Sequence, residues 1–428
     1  LGDDGQRLAL CKRAAAHGRE MLWPAVARRY MQSFERARAE HTDRLRTVFQ
    51  AKTLARRPAE LPDIDLAYVG LMTDHTGMLQ HGSFNVPRYD DGYCLDDNAR
   101  ALIAMVLVED AGTADAKVVR ALASRYLAFV SHAFNPDLGR FRNFMSYTRR
   151  WVDECGSEDS HGRALWALGT VVGRSVDPGR QSLAGQLFHA ALPALEAFTS
   201  PRAWAFALLG IDEYLRAFQG DSSVESIRTT LAERLLDLFR KTSTSDWPWF
   251  EDRVTYCNAR LSQALFVSGS RMAHAEMVAA GARSLEWLTE IQCSEDGYFA
   301  PIGSNGFYER DGTKAAFDGQ PVEACAMVSA CLEAQRATGE GRWAEHARRA
   351  FKWFLGQNHL QQSLYDATTG GCRDGLHADR ANENQGAEST LSFLLALLEM
   401  RSADRAGADP ERARDIAANG STIWEAKT

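Results

Sequence analysis

The sequence predicts an all-α protein, an (α/α)6 toroid (six-hairpin barrel) with an extra N-terminal helical segment. Three observations carry this. Proline is scarce, 12 among 428 residues, so few positions interrupt a helix. Long windows repeat apolar residues at spacings of three and four, which lines them up on one helix face. Stretches that are small and apolar nearly all round alternate with stretches that carry a charged face, as a buried helix followed by a peripheral one would.

Leu95 to Glu109 is of the first kind, and Asp115 to His132, with Lys117, Arg120 and Arg125 on one face, is of the second. Inner helices are expected near 96–109, 158–173, 202–218, 258–269, 321–337 and 386–400. Each interval leaves room for one returning helix and a loop. Outer partners fit near 115–132, 179–198, 222–242, 271–292 and 341–357, with a sixth either at 404–418 or supplied by the N-terminal region. Residues 1–58 form the N-terminal appendage and 59–428 the barrel. Within the appendage, Arg7, Lys12, Arg13, Arg19, Arg28 and Arg29 accompany Leu8, Leu10, Met21, Leu22, Trp23, Val26 and Tyr30, an amphipathic pattern expected to pack on the barrel exterior. The chain opens on Leu1 inside a charged helical pattern, which points to a longer polypeptide preceding it.

Composition narrows the function classes. Forty-nine basic against 56 acidic residues leave a net charge of −7, without the basic footprint that phosphate backbones require, so nucleic acid is not an expected partner. The apolar stretch Ala101 to Val108 is far short of the roughly 20 residues that span a bilayer, and no signal peptide is visible. A soluble, cytoplasmic protein is expected. Eight cysteines lie far apart with no CxxC pair, which reads as reduced thiols rather than a disulfide framework or a zinc ribbon. No cofactor and no metal are expected.

Loops leading into the inner helices are long and aromatic, as in Phe141 to Ser157 and Tyr298 to Asp318, whereas most loops leading out are short. Long loops in compact domains tend to be functional. Inner helices of a toroid run in one direction, so these loops share one face with the helix N-termini.

The inner-helix starts read Tyr93-Cys94-Leu95-Asp96-Asp97-Asn98-Ala99-Arg100, Gly156-Ser157-Glu158-Asp159-Ser160-His161-Gly162-Arg163, Pro201-Arg202-Ala203-Trp204, Trp247-Pro248-Trp249-Phe250-Glu251-Asp252, Asp318-Gly319-Gln320-Pro321-Val322-Glu323 and Asn382-Glu383-Asn384-Gln385-Gly386-Ala387-Glu388. Five of the six carry carboxylates. Helix capping and the macrodipole account for any single acid. They do not account for Trp151, Trp247, Trp249, Phe250, Tyr298, Tyr308 and Phe317 in the same loops. Aromatic faces beside acids, amides and arginines suit sugars, whose CH faces stack and whose hydroxyls need paired donors and acceptors.

Glycosidic cleavage needs two carboxyl groups, one to protonate the leaving oxygen and one as base or nucleophile. Asp97, Glu158, Glu251, Asp318, Glu323 and Glu388 are the catalytic candidates by position at different helix starts. His81, Asp96, Arg100, Trp151, Asp159, His161, Trp247, Trp249, Tyr298, Tyr308, Gln320 and Gln385 are the substrate-binding candidates. A magnesium-pyrophosphate site at Asp96-Asp97 lacks a third acid. A zinc site drawn from Cys94, Cys155, Cys257, Cys325 and Cys372 with His81, His161 or His377 yields to the simpler reading of small buried thiols. Arg100, Arg163 and Arg260 serve equally well as ion-pair partners for the acids or as substrate contacts.

Several of these motifs, together with Asp74-His75-Thr76-Gly77-Met78-Leu79-Gln80-His81 and Asn384-Gln385-Gly386-Ala387-Glu388-Ser389-Thr390, resemble the (α/α)6 domain found at the C-terminal side of some bacterial GT-B-type glycosyltransferases. The resemblance spans roughly residues 60–400. Trp23-Pro24-Ala25-Val26-Ala27 and Tyr30 look like the closing helices of such a transferase, which implies a fused or adjacent glycosyltransferase domain as partner. More broadly the chain is similar to the six-hairpin glycosidase superfamily, which implies hydrolysis or phosphorolysis of an oligo- or polysaccharide in a central cavity. An inverting glycoside hydrolase is expected. A non-catalytic carbohydrate-binding or scaffolding domain is the competing class, and a sugar epimerase with His81 and His161 as bases is the third.

Overall fold

The computed structural model describes residues 4–19, 23–24, 26–36 and 61–408, and the chain divides into two compact units, Leu1–Glu60 and Leu61–Thr428. In the first unit Asp4–Arg19 is a helix and residues 26–36 are helical. Leu8, Leu10, Trp23, Tyr30 and Phe34 are exposed in this unit, and Met21 and Leu22 of the amphipathic pattern lie outside the described residues.

The second unit begins with a short helix α1 (Ala67–Leu71) and a hairpin, β1 (Leu79–Ser83) and β2 (Val86–Cys94). Six helices then form a ring: α2 (Leu95–Ala111), α4 (Glu158–Arg174), α6 (Pro201–Ala217), α8 (Ala259–Arg271), α10 (Pro321–Thr338) and α12 (Ala387–Ala408). Each packs on the next, and α12 packs on α2, which closes the ring. Between them α3 (Ala116–Ala133), α5 (Pro178–Ala191), α7 (Ser222–Thr242), α9 (Ala275–Ile291) and α11 (Arg342–Phe354) return along the outside. All six inner helices start within one residue of their expected positions, and the last runs on past its expected end at 400 to Ala408. Leu102, Ile103, Ala104, Met105 and Val106 are consecutive and all buried, so α2 is covered on every side.

Two outer boundaries differ from expectation. The segment expected over 179–198 breaks into α5 and a 3-10 turn, Leu192–Ala197, because Pro193 has no N–H to donate and its ring clashes with the preceding turn. The helix expected from 271 starts at Ala275, because α8 itself runs to Arg271 and His274 then caps α9 by accepting from Met277 N. Of the sixth outer helix expected at 404–418, the first residues continue α12 and the rest lies outside the described residues.

Helices α4 and α6 touch backbone to backbone. A Cβ on Gly169 would lie 2.0 Å from Gly210 O, and a Cβ on Gly210 would lie 2.5 Å from Leu165 O. Glycine costs a helix about 1 kcal/mol relative to alanine, and here close approach is what it permits.

Connections out of the inner helices are tight, with Asp115, Asp177 and Asp221 capping the outer helices that follow. Connections into them run over residues 72–94, 134–157, 192–200, 243–258, 292–320 and 355–386. Every small strand pairing lies in these incoming segments: β1-β2-β5, with β5 at Phe144–Met145; β3 (Phe134–Asn135) with β4 (Arg140–Phe141); β6 (Arg253–Val254) with β7 (Tyr308–Glu309); and β8 (Tyr365–Asp366) with β9 (Gly371–Cys372). The added structure therefore gathers at the N-terminal end of the ring. Among the described residues no helix is long and apolar enough to cross a membrane.

Candidate active site

Asp96 and Arg100 on α2, and Asp159 and Arg163 on α4, are each four residues apart, so each pair shares one helix face. The arginines do not close on the acid of their own pair. Arg163 Nε donates to Asp96 Oδ1 at 2.7 Å, and Arg100 Nη2 donates to Glu388 Oε2 on α12 at 2.5 Å. Each therefore ties its helix to the preceding inner helix in the ring. Arg100 also reaches Asp97 Oδ1 at 2.9 Å. Both arginine side chains are 6% exposed, and the Arg163 guanidinium lies 4.1 Å from the centre of the Phe206 ring, so these charges are held largely by partners and an aromatic face instead of water.

A cavity of about 460 Å³ opens at this end of the ring. Asp96, Asp159, Glu388, Arg100 and Arg163 supply its charges. Ser157, Tyr256, Ser304 and Gln320 add polar groups, and Cys257, Phe307 and Val322 complete the wall. Asp159 is held by hydroxyls: Ser200 Oγ donates to Oδ1 at 2.6 Å and the Tyr256 OH donates to Oδ2. The Glu388 side chain is 47% exposed, the most open of the three acids.

The other catalytic candidates have structural partners. Asp97 is buried behind Arg100, and burial pushes its carboxyl up to about 6, with Arg100 opposing and Glu388 adding to the rise. Glu158 Oε2 accepts from Thr199 N at 2.8 Å and Ser200 N at 2.7 Å, which ties α4 to the start of α6. Glu251 pairs with Arg202 at 2.8 Å. Glu323 is buried, which raises its pKa, and it accepts from Cys257 N and from Asn258 Nδ2 at 2.8 Å. Cys257 has a φ of 47° and Phe307 a φ of 59°, so two wall residues hold the left-handed backbone that side chains disfavour. Glu323 thus holds the turn that presents Tyr256 and Cys257. Asp318 Oδ1 meets His377 Nδ1 at 2.5 Å, beside the cavity, since Ser304 N donates to Asp318 O.

Several binding candidates lie elsewhere. His161 is fully buried between the rings of Phe141 and Phe198, bonds Ala191 O through Nε2 at 3.0 Å, and burial lowers its pKa to about 4. Trp247 and Trp249 are buried in a cluster with Trp287, and Tyr308 packs edge-on against Trp247. These aromatics knit the incoming loops together; they do not line the cavity. Trp151 packs on Phe129 and His132, and half-buried Tyr298 also stands outside the lining. Gln385 is buried and bonded to Asp366 and Thr369, and His81 pairs with Asp91 on the hairpin. The cavity does take Asp96, Arg100, Asp159, Gln320 and Glu388 from the sequence-derived sets.

Arg163, weighed from sequence as an ion-pair partner or substrate contact, and Cys257, weighed only as a metal ligand, also line it, and Ser157, Tyr256, Ser304, Phe307 and Val322 complete it without having been site candidates. The Asp-x-x-x-Arg spacing, repeated at the same helical phase in α2 and α4, is the signal that singles out Arg163. Tyr256, Ser304 and Phe307 come from irregular loops with no periodic signal.

The sequence matches no protein-family model and no curated protein. Solved structures do share its architecture. A sugar epimerase from a ruminal bacterium superposes with a TM-score of 0.61 at 11% identity, covering 79% of this chain and 97% of that one. The cellobiose 2-epimerase of Spirochaeta thermophila gives 0.59 at 14% identity, covering 85% and 98%. A family GH76 α-mannanase of Bacteroides thetaiotaomicron gives 0.53 at 9% identity, covering 74% and 88%. The fold is the (α/α)6 toroid. At these identities the likeness is one of architecture, and the chemistry has to be argued from the cavity itself.

Proposed function

We propose that the protein is a glycoside hydrolase that cleaves a bacterial oligo- or polysaccharide with a pair of carboxyl groups at the N-terminal end of the helix ring. One observation carries this reading: Asp96, Asp159 and Glu388, from three different inner helices, line one polar cavity with two arginines, a tyrosine and an amide. Glu388 is the base. It is the most open of the three, and Arg100 fixes one of its oxygens, so the carboxylate is oriented toward a water in the cavity. Asp159 is the acid. Its partners are hydroxyls, which can donate or accept as the carboxyl loses or regains a proton, whereas an arginine can only donate. Asp96, held by Arg163 and by Asn143 Nδ2 at 3.4 Å, serves as a fixed acceptor for a sugar hydroxyl. A base that activates water opposite the acid gives inversion.

The test is to incubate the full chain with bacterial and plant oligosaccharides, with and without phosphate, and follow new reducing ends and sugar phosphates. Cleavage that disappears in Glu388→Gln and Asp159→Asn supports the assignment. Specific binding without turnover across the panel would move the chain to the carbohydrate-binding class, in which it serves the glycosyltransferase partner that the sequence resemblance implies.

A sugar epimerase is the second reading, and the Asp318–His377 pair favours it, since a carboxylate-oriented imidazole is a competent proton shuttle. The bases expected for it from sequence were His81 and His161, and His161 is enclosed in the core. An interconverted sugar without new reducing ends, lost in His377→Ala, would select this reading.

A further inference from the structure

We infer that the β1–β2 hairpin and the turn after β5 form a second sugar-binding surface, a stacking platform outside the cavity for the units of a glycan that extend beyond the scissile bond. The inference rests on the reading of the cavity as a glycan site.

The hairpin is tied to the cavity at both ends. Its second strand ends at Cys94, two residues before Asp96. Its tip folds onto the segment before α12, where Phe84 N donates to Asn384 Oδ1 and Gln385 N donates to Phe84 O, each at 2.8 Å, three residues before Glu388. The hairpin thus runs along the rim between two of the cavity's acids. On the hairpin Phe84, Val86 and Tyr89 are exposed among the polar His81, Arg88 and Asp90, and Phe144 and Tyr147, from β5 and the turn after it, are exposed as well.

The aromatic part of this surface is built, not incidental. Tyr93 is buried, and its OH donates to Asp74 Oδ2 at 2.6 Å. Tyr147 stacks against Tyr93 with ring centroids 6.4 Å apart, and Tyr89 stacks against Tyr147 at 4.6 Å. Three nearly parallel rings therefore rise from an anchored base to an exposed top. Tyr147 is itself fixed in a turn, where Ser146 N donates to Arg150 O and Arg149 N to Ser146 O. Rigid, half-open tyrosine faces lose little conformational freedom on binding and suit the CH face of a pyranose. The cavity, about 460 Å³, sits low in the roughly 300–1,000 Å³ range of small-molecule sites, so a longer glycan has to leave it across the rim. The occupant is thus an oligosaccharide chain whose reacting end sits in the cavity.

Titration calorimetry on the full chain carrying Glu388→Gln, which is expected to slow turnover enough for binding to be read, tests this directly. The probes are manno- and cello-oligosaccharides, disaccharide against hexasaccharide. The hexasaccharide of the recognised series is expected to bind about tenfold tighter, the scale of one favourable ring contact. Tyr89→Ala with Tyr147→Ala erases that gain, whereas Tyr89→Phe with Tyr147→Phe keeps it. The platform is overturned if the gain survives both alanines, or if neither series shows a gain with length. Cleavage is scored separately on the chain with Glu388 intact. Turnover without length-dependent binding removes the platform alone; length-dependent binding by a chain that cleaves nothing removes the hydrolase reading alone.

Discussion

Arg163 Nε stands 2.7 Å from Asp96 Oδ1, so a side chain from α4 closes on the start of α2 and forms one wall of the cavity. Arg163 is almost fully buried, and Asp96 is partly so. Removing one member of such a pair leaves the other desolvated and unpaired. Arg163→Met is expected to cost about 3 kcal/mol of stability. Asp96→Asn combined with Arg163→Met should recover part of that loss. A double-mutant cycle from urea unfolding midpoints checks the coupling, and additive single effects would contradict it.

Glu388 and Asp159 carry the chemistry in the proposed mechanism. Glu388→Gln and Asp159→Asn are each expected to lower turnover by roughly 10²- to 10⁴-fold, the usual worth of a positioned acid or base, with oligosaccharide affinity largely kept. Initial rates beside calorimetric binding separate the two quantities. Glu158→Gln serves as the contrast, since Glu158 caps the start of α6 and stands outside the cavity lining; its effect should appear in thermal stability.

The glycine seam between α4 and α6 makes a stability prediction independent of function. Gly169→Ala would set a methyl 2.0 Å from Gly210 O, and the two helices would have to separate. Overpacking of this kind costs about 2–3 kcal/mol or more. Gly185→Ala, on the outer helix α5 where the nearest neighbour of an added Cβ is 3.9 Å away, should be neutral or slightly stabilising. Melting temperatures of the two variants decide it.

His161 ties stability to pH. Burial lowers its pKa from 6.5 to about 4, so between these values the unfolded chain binds the proton more readily than the folded one. Its contribution is therefore full above pH 6.5 and is lost as pH falls toward 4, a total on the order of 3 kcal/mol. His161→Phe, which preserves the ring between Phe141 and Phe198, should flatten the pH dependence of the unfolding midpoint across that window. An unchanged slope would assign it to other groups.

The architecture was legible in the sequence because helix burial is a local, periodic property. Alternating stretches such as Leu95 to Glu109 and Asp115 to His132 report which helices are covered on all sides, and the unequal loops report which end of the ring carries the added structure. The acids at the helix starts were legible as a set for the same reason. Their division of labour was not. Asp97 and Glu388 look alike in sequence, yet one is buried behind Arg100 and the other opens onto the cavity, because the ring brings α12 beside α2 across almost the whole chain. Trp247 and Trp249 had the composition of a sugar-binding loop, but they turn inward onto Trp287, and Tyr256, Ser304 and Phe307 take the cavity wall. Short-range periodicity encodes the helices, their order and the face that holds the acids, and all of these can be read along the chain. Which acids open onto the cavity and which are enclosed behind an arginine follows from long-range packing, since it depends on closing the ring and on side-chain directions in irregular loops.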